Sequence, residues 1–103
     1  MRTREKSYKY YGINPERLKF LQRYCRSEMS ASKEMLLHSI CNIANEDIAE
    51  ALFMSVAKGL SWEKLDRKEP VPINMSDFYA YRRKVYSLLD EQLGAEYSDN
   101  GTA

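Results

Sequence analysis

The chain has 103 residues, 44% of them hydrophobic and 30% charged, with a net charge of +1. This length suits one domain with a modest core, and the composition excludes an intrinsically disordered chain. No apolar run approaches the roughly 18 residues of a membrane span, and the N-terminal MRTREKSYKYYG lacks the apolar stretch of a signal peptide, so the expectation is a cytoplasmic protein without membrane contact.

The near-neutral total hides an asymmetry. Residues 1–26 hold eight basic and two acidic side chains, whereas residues 27–57 hold one lysine and five acids. Clustered Lys and Arg gain affinity for phosphates by releasing counterions, so a basic N-terminal arm is compatible with nucleic acid. Within that arm Asn14-Pro15-Glu16 predicts a helix start. Asn14 accepts early amide hydrogens, Pro15 sits where its missing N–H costs nothing, and Glu16 faces the positive helix end. Leu18, Leu21, Tyr24 and Cys25 then recur at three- and four-residue steps, leaving Arg17, Lys19, Arg23 and Arg26 on the other side.

Serines at 27, 30 and 32 predict a break, with Ser30 or Ser32 capping a second helix. Without Gly or Pro to enforce it, one long bent helix is the alternative. The second helix is expected to bury Leu36, Leu37, Ile40, Ile43 and Ala44, and to expose Lys33, Glu34, His38 and Asn42. His38 then reads as a plain surface histidine. Asn45 caps a third helix, with Glu46 and Asp47 in its first turn. Ile48, Ala49, Leu52, Phe53 and Val56 form a wide apolar face, and Ala51, Met54 and Ala57 line much of the rest, which predicts a central position. Gly59 ends that helix.

Ser61 caps a short fourth helix that points Trp62 and Leu65 inward, and Pro70 and Pro72 stop it by about Lys68. Asn74 with Asp77, or Ser76 alone, opens a last helix running to Gly94, and the tail AEYSDNGTA reads as frayed. No segment alternates in the manner of a strand. The expected fold is all-α, a small bundle of about five helices in a single domain over 1–103, with N-terminal helices in 13–44, a C-terminal unit in 45–93 and a tail over 94–103.

The last helix carries DFYAYRRKVYSLL. Centred on Phe78, the residues Tyr81, Val85, Leu89 and Leu93 fall on the inner side, flanked by Leu88. Ser76, Ala80, Arg83, Lys84, Ser87, Asp90 and Glu91 fall opposite, Tyr79 lies at the border, and Arg82 sits at the apolar edge, where its stem can cover core. Small residues mixed with two cations suit a helix entering a major groove, since slim side chains permit approach and donors reach bases or phosphates. Surface helices are often basic, so the helix alone does not decide.

The order of elements adds to it. Lys58-Gly59-Leu60-Ser61-Trp62-Glu63-Lys64-Leu65, followed by Ser76-Asp77-Phe78-Tyr79-Ala80-Tyr81-Arg82-Arg83-Lys84-Val85-Tyr86, resembles the helix-turn-helix of sigma-70 region 4. More narrowly it is similar to phage-type transcriptional regulators of the ArpU/RinA kind. The resemblance covers about residues 46–93. It implies a DNA-binding transcriptional regulator, bacterial or phage-encoded, that inserts helix 76–93 into the major groove. Carried over by position, Ser76, Asp77, Tyr79, Ala80, Arg83 and Lys84 would face bases or phosphates, and Ser61 and Lys64 would touch the backbone. The chain departs from the family at Arg67–Asn74, where EPVP lengthens the turn.

Double-stranded DNA is therefore the expected partner. RNA polymerase or a second copy is expected beside it, because one recognition helix seldom binds tightly alone, and helices 15–44 are the candidate dimer contact. The alternative is an all-α adaptor or inhibitor that binds protein and no DNA, which the small net charge favours. An enzyme is not expected. There is one histidine, the acids sit at helix starts, no glycine-rich phosphate loop is present, and Cys25 and Cys41 lack an activating neighbour. No catalytic residue, metal site or cofactor is assigned, since isolated cysteines do not supply the four ligands of a zinc site.

Overall fold

The computed structural model describes residues 6–97. Five α-helices follow one another: α1 (Pro15–Arg26), α2 (Ala31–Ala44), α3 (Ala49–Lys58), α4 (Trp62–Lys68) and α5 (Met75–Tyr97). Among the described residues there is no strand, and no helix is long and apolar enough to cross a membrane.

Local chemistry explains most boundaries. Asn14 Oδ1 accepts from Arg17 N at 2.8 Å, so α1 begins at Pro15. Ser30, and not Ser32, makes the break, since Ser30 Oγ accepts from Lys33 N at 3.2 Å with its own backbone extended. Two helices rather than one bent helix result. Asn45 caps as expected, its side chain accepting from Asp47 N, but the turn it opens is a 3₁₀ turn over Glu46–Ile48 that precedes α3. Gly59 closes α3 with φ 73°, in the left-handed region where a side chain is strained. Ser61 Oγ accepts from Lys64 N, and α4 ends at Lys68 ahead of Pro70. At α5, Asn74 and Asp77 cap reciprocally. Asp77 N donates to Asn74 Oδ1 at 2.9 Å, and Asn74 Nδ2 donates to Asp77 Oδ2 at 3.3 Å. Gly94 does not end α5, which continues to Tyr97, so the first residues of the expected tail are helical; 98–103 lie outside the described residues.

Helix α5 packs against each of the other four. Phe78, Val85, Tyr86, Leu89 and Leu93 are buried along it, meeting Leu21 and Cys25 of α1, Leu37, Ile40 and Cys41 of α2, and Leu52 and Val56 of α3 in one hydrophobic cluster. Burying a side chain of this size stabilises the fold by about 1.5 to 3 kcal/mol. The expected central placement of α3 holds, with Ser55 and Ala57 buried as well.

Three expectations about faces are corrected. Lys33 of α2 is buried, its ammonium donating to Ser27 Oγ and the Glu28 carbonyl and lying 4.2 Å from the Tyr24 ring centre. The α1–α2 turn thus swallows a charge and supplies it with acceptors. Ile43 of α2, expected in the core, is 65% exposed because the buried stripe runs through Leu37, Ile40, Cys41 and Ala44 instead. His38 is half-buried, stacked on Phe53 with centroids 3.8 Å apart.

The described segment before α1, part of the basic arm in the sequence, folds into a turn. Ser7 Oγ accepts from Tyr10 N, Ile13 N donates to Tyr8 O, and Gly12 takes φ 76°. The resulting turn drives Ile13 into the core and lays Tyr8 against Tyr86, with ring centres 6.4 Å apart. It also covers part of α5.

Candidate nucleic-acid interface

Helices α4 and α5 are joined by residues 69–74, within the Arg67–Asn74 stretch expected to lengthen the turn. The link is pinned along its length. Glu69 N donates to Leu65 O, Val71 N donates to Asp66 Oδ1 at 2.9 Å, and Trp62 Nε1 donates to Ile73 O at 3.0 Å. Across the link, Trp62 N donates to the Tyr79 hydroxyl at 3.0 Å. The first residue of α4 is therefore tied both to the end of the link and to the first turns of α5. Leu65 and Phe78 are buried beneath this crossing.

The residues expected to meet DNA occupy different settings. Lys64 and Ser76 are exposed, while Ser61, Asp77, Tyr79, Arg83 and Lys84 are half-buried. Ala80 is 1% exposed. It cannot line an outer face, because α5 is packed on more sides than an amphipathic wheel assumes; Ser87, placed on the same face, is buried for the same reason. Asp77 is held in the cap with Asn74 and carries the charge that phosphates repel. Tyr79 faces the α4 crossing with its hydroxyl, and the Arg82 guanidinium lies 4.5 Å from its ring centre. Arg83 Nε donates to the Lys6 carbonyl at 2.9 Å, so the N-terminal turn anchors this arginine on the flank of α5.

Arg82, ambiguous from the sequence, is structural: its Nη1 donates to the buried Ser55 Oγ at 3.1 Å. Nearby, burial pushes the Tyr8 phenol above its ordinary value, and the Arg82 and Arg83 charges pull it partly back. Burial also raises the Cys25 and Cys41 thiols to about 12, which leaves both protonated and unreactive at neutral pH. Among the described residues no group of three His, Cys, Asp or Glu side chains could hold a metal ion.

Of the expected residues, Ser61 and Tyr79 meet at the crossing through the Trp62 N–Tyr79 Oη bond, Lys64 and Ser76 are exposed in the first turns of α4 and α5, and Arg83 and Lys84 lie about one turn beyond Tyr79. Sequence reasoning missed the N-terminal turn as a neighbour of this surface. The available signal was the Tyr-Tyr-Gly-Ile run, in which a glycine before an apolar residue and a capped helix marks a turn into the core. Comparisons of the chain with protein-family models, with curated proteins and with solved structures find no match.

Proposed function

We propose that this protein is a duplex-DNA-binding transcriptional regulator of the bacterial or phage type, in which α4 and α5 act as a helix-turn-helix. The supporting observation is the double tie of Trp62, to Ile73 O through its indole and to Tyr79 Oη through its backbone. Those bonds hold α4 across the start of α5 despite the long link. Recognition helices of this class read base edges with their N-terminal residues, so exposed Ser76 in the first turn of α5 stays available, while Ala80, buried one turn later, drops out of the reading face. Ser76 faces the groove, Tyr79 holds α4 at its edge, Lys64 and Lys84 meet phosphates, and Arg83 adds positive charge at the rim. RNA polymerase or a second copy supplies further affinity.

Fluorescence anisotropy with a labelled duplex at low salt tests this reading, comparing the full chain with Arg83→Ala/Lys84→Ala. Weaker binding and a flatter salt dependence in the variant are expected. Equal binding by the two proteins removes α5 from the interface.

A second reading, a protein-binding adaptor without DNA, is favoured by one observation. Met35 is 73% exposed and Ile43 65% exposed on the outer side of α2, an apolar surface that DNA does not need. It predicts no duplex binding at low salt and capture of a protein partner that Met35→Ser/Ile43→Ser abolishes.

A further inference from the structure

The outward side of α1 carries a stripe that the α4–α5 surface does not include. Lys19, Gln22, Arg23, Arg26 and Ser27 recur at helical spacing and line a shallow concavity of about 450 Å³. The inward side of the same helix is Leu21 and Cys25, both fully buried. Helical periodicity therefore forces the three cations onto one face and the core residues onto the other.

The less exposed cations nearby are each held by a partner. Arg17 pairs with Asp90, Lys33 is held by Ser27 and Glu28, and Arg82 is held by Ser55. Among the described residues no carboxylate pairs with Lys19, Arg23 or Arg26, and the neighbouring acids Glu16 and Glu28 flank the stripe only at its ends. Charge near a helix C-terminus is favourable in itself and accounts for placing Arg23 and Arg26 in the last turn. It does not account for Lys19, nor for a concave surface lined by cations and neutral polar groups alone.

The concavity lies next to the α3–α4 junction. Arg26 lies against the α3–α4 junction, its guanidinium carbon 3.4 Å from where a Gly59 side chain would begin. Lys58, exposed, precedes that glycine, and Ser61 opens α4 just after it. The stripe is thus continuous with the end of α4 proposed to touch the DNA backbone. From Lys19 to Arg26 the helix rises about 10 Å, the axial length of about three phosphates on one strand at about 3.4 Å each.

We propose that α1 is a second phosphate-contacting element, in which Lys19, Arg23 and Arg26 grip one strand of the duplex beside the groove that α5 enters. The inference rests on the DNA-binding reading above and extends it to a surface outside the helix-turn-helix. It also explains how a protein of near-zero net charge holds DNA: the positive charge is collected on α1, while the acids Glu46, Asp47, Glu50 and Glu69 gather around another concavity, beside the link.

The test is a salt titration of binding to a duplex of random sequence by the full chain and by Lys19→Gln/Arg23→Gln/Arg26→Gln. Loss of three phosphate contacts should lower the slope of log K against log salt by roughly 2 to 3. It should also weaken binding by about tenfold or more at low salt, equally for every sequence. Arg23→Lys should keep the wild-type slope. If the triple variant melts below wild type, Arg23→Glu alone decides by the same slope. Duplex binding with an unchanged slope overturns the inference and leaves the α4–α5 reading standing. Absence of duplex binding by the wild-type chain at low salt overturns both.

Discussion

Tyr79→Phe removes a single oxygen and isolates the tie between α4 and α5. The Tyr79 hydroxyl accepts from Trp62 N at 3.0 Å in a partly buried position, and the amide belongs to the first turn of α4, where helical N–H groups have no partner within the helix. Phenylalanine keeps the ring that packs edge-on against Phe78 and beneath the Arg82 guanidinium, so packing changes little. The cost is then the hydrogen bond itself, about 1 kcal/mol for a neutral pair, with water able to reach the amide in part. For a domain of this length that corresponds to a melting temperature lower by about 4 to 8 °C. Thermal and urea denaturation followed by circular dichroism measure it. Trp62 is the sole tryptophan, so its emission reports locally on the same crossing. A variant that melts within about a degree of wild type with unchanged tryptophan emission would refute the idea that this bond fixes α4 on α5.

Gly59→Ala should cost about 1 to 2 kcal/mol, because φ 73° is strained for any side chain, while the Arg26 guanidinium that the new methyl meets can swing aside; chemical denaturation checks the figure. Leu52→Ala, at a fully buried position of α3, should cost about 2 to 5 kcal/mol in the same assay, and a loss under about 1 kcal/mol would show that the core is not closed there. The thiols predict an alkaline effect. Burial raises Cys25 and Cys41 from 9.0 to about 12, so the unfolded chain releases their protons first and stability falls between pH 9 and pH 12. The slope is about 1.4 kcal/mol per pH unit for each thiol, with no contribution below that window. Denaturation at pH 8 and pH 10, with Cys25→Ala/Cys41→Ala as the reference, should show wild type losing more stability than the variant; parallel losses would contradict the burial.

The parts of the fold legible in the sequence were those set by local chemistry. Asn14, Ser61, Gly59 and the prolines at 70 and 72 act on backbone within a few residues, and each behaves as its type requires. The errors share a different cause. Lys33, Ile43, Ala80 and Ser87 were placed by a helical wheel that assumes one inner and one outer side, and their burial or exposure depends on neighbours distant in sequence. Ala80 and Ser87 lie on a helix that four others and the N-terminal turn surround. Lys33 is buried because Ser27, Glu28 and Tyr24 happen to converge on its ammonium. No periodicity contains that information. Of the candidate site, the junction at Ser61-Trp62 and the exposure of Lys64 and Ser76 were readable, whereas the pinning of the long link by Asp66 and Trp62 required the three-dimensional structure.

Amide chemical-shift mapping of the full chain during titration with a duplex at low salt reports most directly on whether α4 and α5 form the DNA-facing surface. The expected result is perturbation at Ser61, Lys64, Ser76, Tyr79, Arg83 and Lys84, accompanied by Lys19, Arg23 and Arg26 of α1, with the outer side of α2 unchanged. Shifts confined to the surroundings of Met35 and Ile43, or none at all, would contradict it.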